Sequence, residues 1–595
     1  MMLQALIAYA ERENLGDPDF ETVGVRWWIP ITHQGKLAGP PIELFNDEDT
    51  RKPKRVRRPF TRNDEVGHGK AHFLADNLER ALAFFDLQSA GQSAARHNQH
   101  QYFKSLLVEA AAACPNEAPK LQAILSFLND KEQIDRLHVV LREQKPNSSD
   151  NMTFLVDTAD LLKSEEIIKF WRNRRATKRA AQACKPKMCL ATGRLAEAVQ
   201  TTEPIKGVPG GRTSGDRLIA FNKECPAFNS FGLEQAQNAP LSDEAANKFR
   251  GALEVLIEKS RKQGLAFYYK SSSGGGGHIH LHWTRQFIEF DPLEPVVSAD
   301  PEIIKRLFAS VHRGKQVVGV DNNAYYCLSL SGNRGRIVVR DWLESSVFEV
   351  ECHVADWFRS LSIINFDGVT VRRDFGLWSL LAVLVPRKDG KPDFEKLAPQ
   401  VATQVLFAAL RGTPLPQPAL AAALRRQQVE FRKSDDEFDP KFNPARIALI
   451  KAYLIRSANF NLNQKDCMTE CLNPESRDPA YLCGRLFAVF DRLQYLALQN
   501  VNAGVVERYY ASASTTPALV MGRLFRNAQF HLAKANGGIA ENIRKDFEMI
   551  ANALGEKFPP TLTLEEQGCF ALGYYHQKAE YRRRAAERKE DEAKN

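Results

Sequence analysis

The sequence lacks long apolar runs and regular cysteine patterns. No stretch reaches the roughly 18 uninterrupted apolar residues of a membrane span, and the opening segment reads as an amphipathic helix with acids and Arg12. We therefore expect no signal peptide, no transmembrane segment and no membrane partner. The 10 cysteines are scattered over 595 residues, unlike the dense frameworks of small secreted domains. This favours a cytoplasmic protein with reduced thiols and no structural disulfides.

Signatures of common enzymes are missing as well. The sequence has no glycine loop ending in Lys and Ser or Thr, no GxSxG, no HExxH and no clear Asp-rich nuclease pattern. His278, His280 and His282 share one face of a predicted strand, and imidazoles can hold zinc or iron. No carboxylate or cysteine stands nearby at ligand spacing, and a half-exposed strand carrying histidines explains them equally well. We therefore predict no enzyme, no metal and no cofactor.

Positive charge is concentrated rather than spread. The net charge is +9, yet Arg51 to Arg62 holds seven Lys or Arg and Lys169 to Lys187 holds eight, neither with an acid. Phe60, Phe170 and Trp171 stand among them. Lys and Arg neutralise phosphates, and planar side chains stack on bases. Each run alone is also compatible with a solvated face, but together they favour nucleic-acid binding.

The pattern of elements predicts an α+β fold. At 595 residues the chain is longer than a single hydrophobic core usually supports, so we expect more than one folding unit. Strands are predicted at VGVRWWIPIT and at a hairpin NAYYCLSL–SGNR–GRIVVRDW, with helices over about 71–87, within 100–143, over 169–187 and over about 242–263. The last of these begins with a cap-like Ser-Asp-Glu pattern. In a later helix one apolar stripe is formed by Leu482, Leu486, Phe490, Leu493 and Leu496. From about Pro399 only helical patterns remain. We predict a mixed N-terminal domain at 1–395, a helical connector at 396–470 and an all-helical bundle at 471–595.

A glycine-rich passage, IKGVPGGRTSGDRLIAFN, follows the second basic run. Its glycines let the main chain approach a phosphate closely, and Lys206, Arg212 and Arg217 add positive charge. A plain surface turn is the alternative reading. The passage lacks the lysine and the serine or threonine that end a nucleotide-binding loop.

Several segments, in order along the chain, resemble the large subunit of the type I-C CRISPR surveillance complex (Cascade). They span about residues 70 to 530. The chain departs from the family pattern at Asp216 and Arg217 and at HIHLHW, which leaves the register intact. The similar segments are GKAHFLADN, MCLATGR, IKGVPGGRTSGDRLIAFN, FNSFGLEQAQNAPLSDEAA, YYCLSLSGNRGRIVVRDW, RIALIKAYLIR, YLCGRLFAVFDRLQ and ERYYASASTTPA.

The resemblance implies a non-catalytic subunit of a ribonucleoprotein complex in antiviral defence. Such a subunit recognises the short motif flanking the target (the PAM) in double-stranded DNA, helps open the duplex and stabilises the R-loop, while base pairing reads the sequence. Implied partners are the guide RNA (crRNA), the Cascade backbone subunits, the crRNA-processing subunit, small subunits and a helicase-nuclease. A separately made small subunit is also implied, and Met468 is our candidate for its internal start.

We predict that amide and ammonium side chains read base edges, and that arginines and lysines contact the nucleic-acid backbone and the displaced strand. Core hydrogen bonding is the alternative for the amides, above all for Asn238. The readers are Lys70, Asn77, Lys206, Asn222, Gln235 and Asn238. The backbone contacts are Arg55, Arg57, Arg58, Arg174, Arg175, Lys178, Arg212 and Arg334, and the displaced-strand contacts are Arg485, Arg492, Arg508, Arg523 and Arg526.

Two other functions remain open from the sequence. A stand-alone protein that binds double-stranded DNA would share the basic runs. A metal-dependent nuclease would need clustered acids, for which the sequence gives less support.

Overall fold

The protein is described by a computed structural model. It describes residues 2–46, 52–61, 69–84, 93–181, 186–229, 231–271, 274–314, 323–431, 443–457, 468–498, 504–534, 538–555 and 557–594. The chain divides into two compact units. The first comprises Met1–Gly207, Thr213–Leu256 and Gly335–Ile337, and the second comprises Val208–Arg212, Ile257–Arg334 and Val338–Asn595.

The first unit combines small sheets with helices. Its helices are α1 (Met2–Arg12), α2 (Leu78–Leu82), α3 (Ser93–Ala113), α4 (Ala118–Asn129), α5 (Lys131–Gln144), α6 (Glu165–Ala181), α7 (Pro226–Asn229) and α8 (Asp243–Lys262), the last assigned to this unit as far as Leu256. Its strands are β1 (Phe20–Val25), β2 (Trp27–Ile31), β3 (Ile42–Glu43), β4 (Lys54–Pro59), β5 (Ala75–Asn77), β6 (Asn151–Val156), β7 (Lys187–Met188) and β8 (Leu195–Ala196).

A four-stranded sheet in the order β3-β2-β6-β5 supports this unit's core. The central pair β2 and β6 is parallel, and its residues Ile29 and Phe154 are buried, as apolar side chains on a covered face should be. Phe73 stacks on Trp171 of α6, with ring centroids 5.5 Å apart. The basic helix α6 is thus held to the core by its aromatic side.

The second unit holds a larger sheet and most of the helices. Its strands are β9 (Ala266–Ser271), β10 (Gly274–Thr284), β11 (Ala324–Asn333), β12 (Arg336–Ser346), β13 (Ile363–Ile364), β14 (Val371–Arg372), β15 (Arg387–Lys388) and β16 (Lys391–Pro392). Its helices are α9 (Glu294–Ser298), α10 (Pro301–Gly314), α11 (Val347–Leu361), α12 (Leu377–Ala382), α13 (Pro399–Arg411), α14 (Gln417–Glu430), α15 (Pro444–Arg456), α16 (Pro479–Leu498), α17 (Val505–Ala513), α18 (Pro517–Lys534), α19 (Gly538–Leu554) and α20 (Leu564–Lys594).

The main sheet of this unit runs β12-β11-β10-β9. The predicted hairpin is confirmed as β11 and β12, joined through Arg334 (φ 47°) and Gly335 (φ 99°). Two consecutive residues with positive φ between paired strands form the turn whose twist matches that of the strands. The turn therefore points the Arg334 side chain out at the hairpin end, where it is exposed.

One hydrophobic core joins this sheet to the C-terminal helices. It includes Phe358 of α11, Leu406 of α13, Leu449 of α15, Phe487 of α16 and Tyr574 of α20. The predicted domain boundaries at 395 and 470 fall inside this core. The α+β class is confirmed. The helices after 395 share core residues with the preceding sheet, and the division at 395 and 470 stays a prediction.

Some of the helices predicted from the sequence agree with the structure and others do not. Helix α8 begins where the Ser-Asp-Glu pattern predicts, and the Ser242 hydroxyl accepts a hydrogen bond from the Ala245 amide at 3.2 Å. Four members of the predicted stripe on α16 are buried, namely Leu482, Leu486, Phe490 and Leu493, whereas the fifth, Leu496, is half-buried. The helix predicted over about 71–87 was wrong over its first part, where β5 precedes the short α2, which ends at Leu82. Residues 85–87 of that prediction lie outside the described residues. Among the described residues, no helix combines the length and apolarity needed to cross a bilayer.

Candidate nucleic-acid interface

The first basic run is a strand in its described part. In β4, paired antiparallel with β1, Arg58 lies opposite Glu21 and Arg57 opposite Thr22, so their side chains alternate between faces. Arg55 and Arg57 are exposed. The Arg57 guanidinium lies 4.4 Å from the Phe20 ring centroid, and its Nη2 lies 2.6 Å from Asp17 Oδ2. Arg51 and Arg62 fall outside the described residues.

Arg58 does not fit its predicted contact with a nucleic-acid backbone. It is buried, and its Nη2 pairs with Glu21 Oε1 at 2.8 Å while Nη1 donates to the carbonyl of Ala75 at 3.1 Å. Phe60, one of the aromatics expected beside nucleic acid, is also buried, under the guanidinium groups of Arg175 and Arg250. These side chains tie β4 to the unit.

The second basic run, on α6, is likewise divided. Arg175 is buried, with its Nε 3.5 Å from Asp19 Oδ1 and its Nη2 donating to the carbonyl of Pro18 at 3.1 Å. It therefore does not fit the predicted contact with a nucleic-acid backbone. Arg174 pairs with Glu109 at 2.8 Å. Lys178 is half-buried, whereas Arg172, which the sequence reasoning did not select, keeps 53% of its side chain exposed. The aromatic Trp171 belongs to the core.

A junction of glycines forms in the second unit, where Val208–Arg212 lies against β10 and β11. A Cβ on Gly332 would come within 2.3 Å of the amide nitrogen of Gly211, and one on Gly210 would lie 3.2 Å from the Cα of Gly276. The Gly332 amide also donates to the carbonyl of Pro209 at 2.8 Å. The glycines are therefore needed for packing within the protein, while Gly210 and Gly211 remain exposed on the outer side.

Two predicted backbone contacts meet at this junction. Arg212 Nη2 donates to the carbonyl oxygen of Arg334 at 3.0 Å, and both side chains are exposed. In addition, Arg340 donates from Nε to Ser331 Oγ at 2.7 Å. We call Gly210, Gly211, Arg212, Arg334 and Arg340 the glycine junction. It offers exposed main chain and guanidinium groups together, which is the combination that contacts phosphates.

The residues predicted to read base edges lie in the first unit, and several of them make hydrogen bonds within the protein. Asn77 caps α2, its Oδ1 accepting from the Arg80 amide at 3.0 Å. Asn238 donates from Nδ2 to the carbonyls of Phe228 and Gln235, at 2.9 and 3.0 Å. The alternative reading, hydrogen bonding within the protein, therefore describes both amides.

The remaining readers differ in exposure. Lys206 and Asn222 are exposed, whereas Lys70 and Gln235 are half-buried. Asn222 Oδ1 accepts a hydrogen bond from the Glu224 amide at 3.1 Å. Nearby Arg217 is used internally, donating to the carbonyl of Thr202 at 2.7 Å.

Of the C-terminal arginines, Arg485 does not fit contact with a displaced strand. It is 1% exposed, and its Nε donates to Gln577 Oε1 at 3.1 Å. Arg492 is half-buried over the Tyr495 ring, and Arg508 is exposed.

Arg523 and Arg526 are exposed on one face of α18, between Leu519 (78% exposed) and Phe530 (66% exposed). The spacing of these four residues, i, i+4, i+7 and i+11, places them in one row along a helix. We call them the α18 strip. The two apolar members were missed by the sequence reasoning, although their spacing was available to it.

The three histidines of β10 are buried rather than half-exposed. His278 Nδ1 lies 2.7 Å from Thr403 Oγ1, and His282 Nε2 lies 2.9 Å from Gln263 Oε1. His280 packs by Phe267 and Phe407. Within the described ranges no group of three or more His, Cys, Asp or Glu side chains has the arrangement of a metal site. The cysteines that are described are all free thiols.

Comparison with known protein families places the chain in one of them. No curated protein matches the chain. A model of the family described as CRISPR-associated protein (Cas_Csd1) matches residues 6–582, which include the described parts of the glycine junction, both basic runs and the α18 strip. Since the match covers nearly the whole sequence, the chain belongs to the CRISPR-associated Cas_Csd1 family.

Proposed function

We propose that this CRISPR-associated protein is the large subunit of a type I-C surveillance complex. In this role it recognises the PAM in target double-stranded DNA, helps open the duplex, stabilises the R-loop and recruits the helicase-nuclease. It works without catalysis of its own, alongside guide RNA, backbone subunits, the crRNA-processing subunit and small subunits. Family membership and the sequence resemblance support this role.

The glycine junction is the observation that carries the proposal. Arg212 and Arg334 bring two exposed guanidinium groups beside exposed glycine main chain. Arginines supply charge-assisted contacts to phosphate, and glycine permits a close approach of the backbone. A nucleic-acid backbone at this surface would therefore be bound irrespective of its sequence, as a subunit that leaves sequence reading to base pairing requires.

Sequence preference would come from the readers that remain available. Lys206 and Asn222 are exposed polar side chains, and ammonium and amide groups pair with base edges. We expect Lys206→Ala to relax the preference for the flanking motif. Asn77→Ala and Asn238→Ala are less direct tests, because each also removes a hydrogen bond within the protein.

The decisive experiment is reconstitution of the complex with and without this subunit, followed by target binding across a randomised flanking motif. Recovery of guide RNA, and motif-dependent binding that is lost when the subunit is omitted, would support the proposal. Tight duplex binding by the isolated chain without guide RNA would favour the stand-alone DNA binder. DNA cleavage by the isolated chain with Mg²⁺ would favour the nuclease.

The hypothesis of an internal start at Met468 has a structural consequence. Ile450 and Leu454 of α15 lie close to Gly568 of α20, so a product beginning at Met468 lacks apolar side chains that cover α20. We expect such a product to need partner subunits to cover this face. Met468→Leu should remove a short product while leaving the long chain. Persistence of the short product would rule out this start.

A further inference from the structure

A small cavity in the second unit has a lining rich in arginine. Its volume is about 230 Å³, and its walls come from β14, α12, β15 and the adjoining ends of α14 and α15. Arg372, Arg387 and Arg446 line it, and Glu430 is the one carboxylate among the described residues of the lining. We call it the arginine cavity. None of these residues belongs to the surfaces described above.

The carboxylate is already engaged. Glu430 forms two ion pairs: its Oε2 lies 2.5 Å from Arg446 Nη2, and its Oε1 lies 3.4 Å from Arg426 Nη2. The exposed fractions of the three side chains are 3% for Arg446, 17% for Arg426 and 8% for Glu430. Among the described residues, two largely buried guanidinium groups therefore share one carboxylate, which leaves an excess of one positive charge there. Such an excess is costly unless an anion is nearby.

The hydrogen bonding of Arg446 is also incomplete. Nη1 donates to Gln427 Oε1 at 3.0 Å and Nη2 to Glu430, but the buried Nε has no acceptor among the described residues, and neither does Nε of Arg426. Burial lowers the pKa of Arg446, as expected where negative charge is in short supply. An unpaired N–H on a buried charged group is uncommon in folded proteins.

Two exposed arginines complete the positive lining. Arg372 lies over the Phe375 ring at 4.9 Å, and its Nε donates to Asp374 at 3.1 Å. Arg387 is exposed. The start of α15 adds no free donor, because Asn443 caps the Ala445 amide at 3.0 Å. The arginine side chains are thus the groups that would hold a ligand.

We propose that the arginine cavity binds a phosphate group. Planar guanidinium groups match phosphate oxygens in pairs, and a ligand oxygen would supply the acceptor that the buried Nε of Arg446 lacks. The cavity is smaller than the roughly 300 to 1,000 Å³ of typical small-molecule sites, so it suits a single phosphate better than a whole nucleotide. This inference goes beyond the proposed function and does not depend on it.

The phosphate could be free or at the end of a nucleic acid, and a titration distinguishes these sources. Inorganic phosphate is added to the full chain at constant ionic strength, with chloride as reference, and the Tm and heat of binding are measured. We expect saturable binding and a rise in Tm. A 5′-phosphorylated oligonucleotide that competes with phosphate, when its 5′-hydroxyl counterpart does not, would identify a nucleic-acid end. Competition by neither would identify the free ion.

Variants test the site itself. Arg372→Gln combined with Arg387→Gln changes exposed side chains and should weaken phosphate binding at least about tenfold per lost contact. Lys388→Gln removes a neighbouring exposed charge outside the lining and should leave binding unchanged. Arg446→Lys keeps the charge but loses the planar group, and should also weaken binding if the variant folds. Unsaturable binding, or equal losses in Lys388→Gln and the double variant, would overturn the proposal.

Discussion

Arg212 and Arg334 are 122 positions apart in sequence, yet Arg212 Nη2 donates to the carbonyl oxygen of Arg334 at 3.0 Å. The bond joins the end of the glycine-rich segment to the turn of the β11–β12 hairpin. Because it uses the main-chain oxygen of Arg334, the guanidinium of Arg334 stays available at the surface. The bond holds the Arg212 side chain against the main chain of Arg334, so two positively charged residues meet at this exposed turn, an arrangement that a phosphate backbone would stabilise.

The first prediction concerns this pair. Arg334→Ala should weaken binding of the assembled complex to target DNA, and should lower the slope of log K against log salt by about 1, because one phosphate contact is lost. Binding measured from 50 to 200 mM salt checks this. Arg477→Ala, at another exposed arginine, is the control for net charge. Equal slopes for the wild type and Arg334→Ala would remove Arg334 from the interface.

The second prediction concerns the packing of the junction. Gly332→Ala would place a methyl group 2.3 Å from the Gly211 amide nitrogen, so one backbone must move. We expect a loss of about 1–3 kcal/mol in the free energy of unfolding, measured by denaturant titration. Gly522→Ala is the matched control, since a Cβ at this helical position meets nothing within 4 Å and should stabilise by about 0.5–1 kcal/mol. A neutral Gly332→Ala would show that the segment is not tightly packed there.

Sequence reasoning succeeded where structure is set locally. The cap of α8, the turn at Arg334 and Gly335, and the apolar stripe of α16 depend on residues within a few positions of one another. It failed for arginines whose partners are distant. Arg58 meets Glu21 37 positions away, and Arg485 meets Gln577 92 positions away. A basic run shows the number of charges but not which of them the fold neutralises.

The third prediction separates two neighbouring arginines of β4. Arg58→Ala leaves Glu21 in a buried site with only part of its pairing, including Arg250 at 3.3 Å, and should cost about 3 kcal/mol of stability. Arg57→Ala, whose side chain is 49% exposed, should cost less than about 1 kcal/mol but weaken DNA binding. Unfolding and binding curves for both variants provide the comparison. A stable Arg58→Ala that binds DNA less tightly would reinstate Arg58 as a contact.

The fourth prediction is a dependence of stability on acid. Burial lowers the pKa of His278 to about 4 and that of His280 to about 3, against an ordinary value near 6.5. Between these values the unfolded chain binds protons that the folded chain does not, so stability should fall as the pH drops from about 6.5 toward 4.

His280→Phe should preserve the aromatic packing by Phe267 and Phe407 and remove one of these protons. The dependence should then be shallower by up to about 1.4 kcal/mol per pH unit. Denaturant titrations at several pH values between 7 and 4.5 measure it. An unchanged slope would mean that His280 does not stay neutral in the folded protein.

The last prediction concerns the α18 strip. Arg523 and Arg526 can neutralise phosphates, and Phe530 at one end of the strip can stack on a base. Replacing a stacked aromatic residue with alanine typically costs about 1–3 kcal/mol of binding free energy per base. Phe530→Ala should therefore weaken retention of the displaced strand in the assembled complex, seen as greater reclosure of the R-loop, without altering the salt slope. Arg526→Ala should lower both retention and slope. The control is Met549→Ala, at an exposed apolar residue of α19 outside the strip. If Phe530→Ala and Met549→Ala behave alike, the aromatic ring contributes no stacking, and the strip binds through its charges alone.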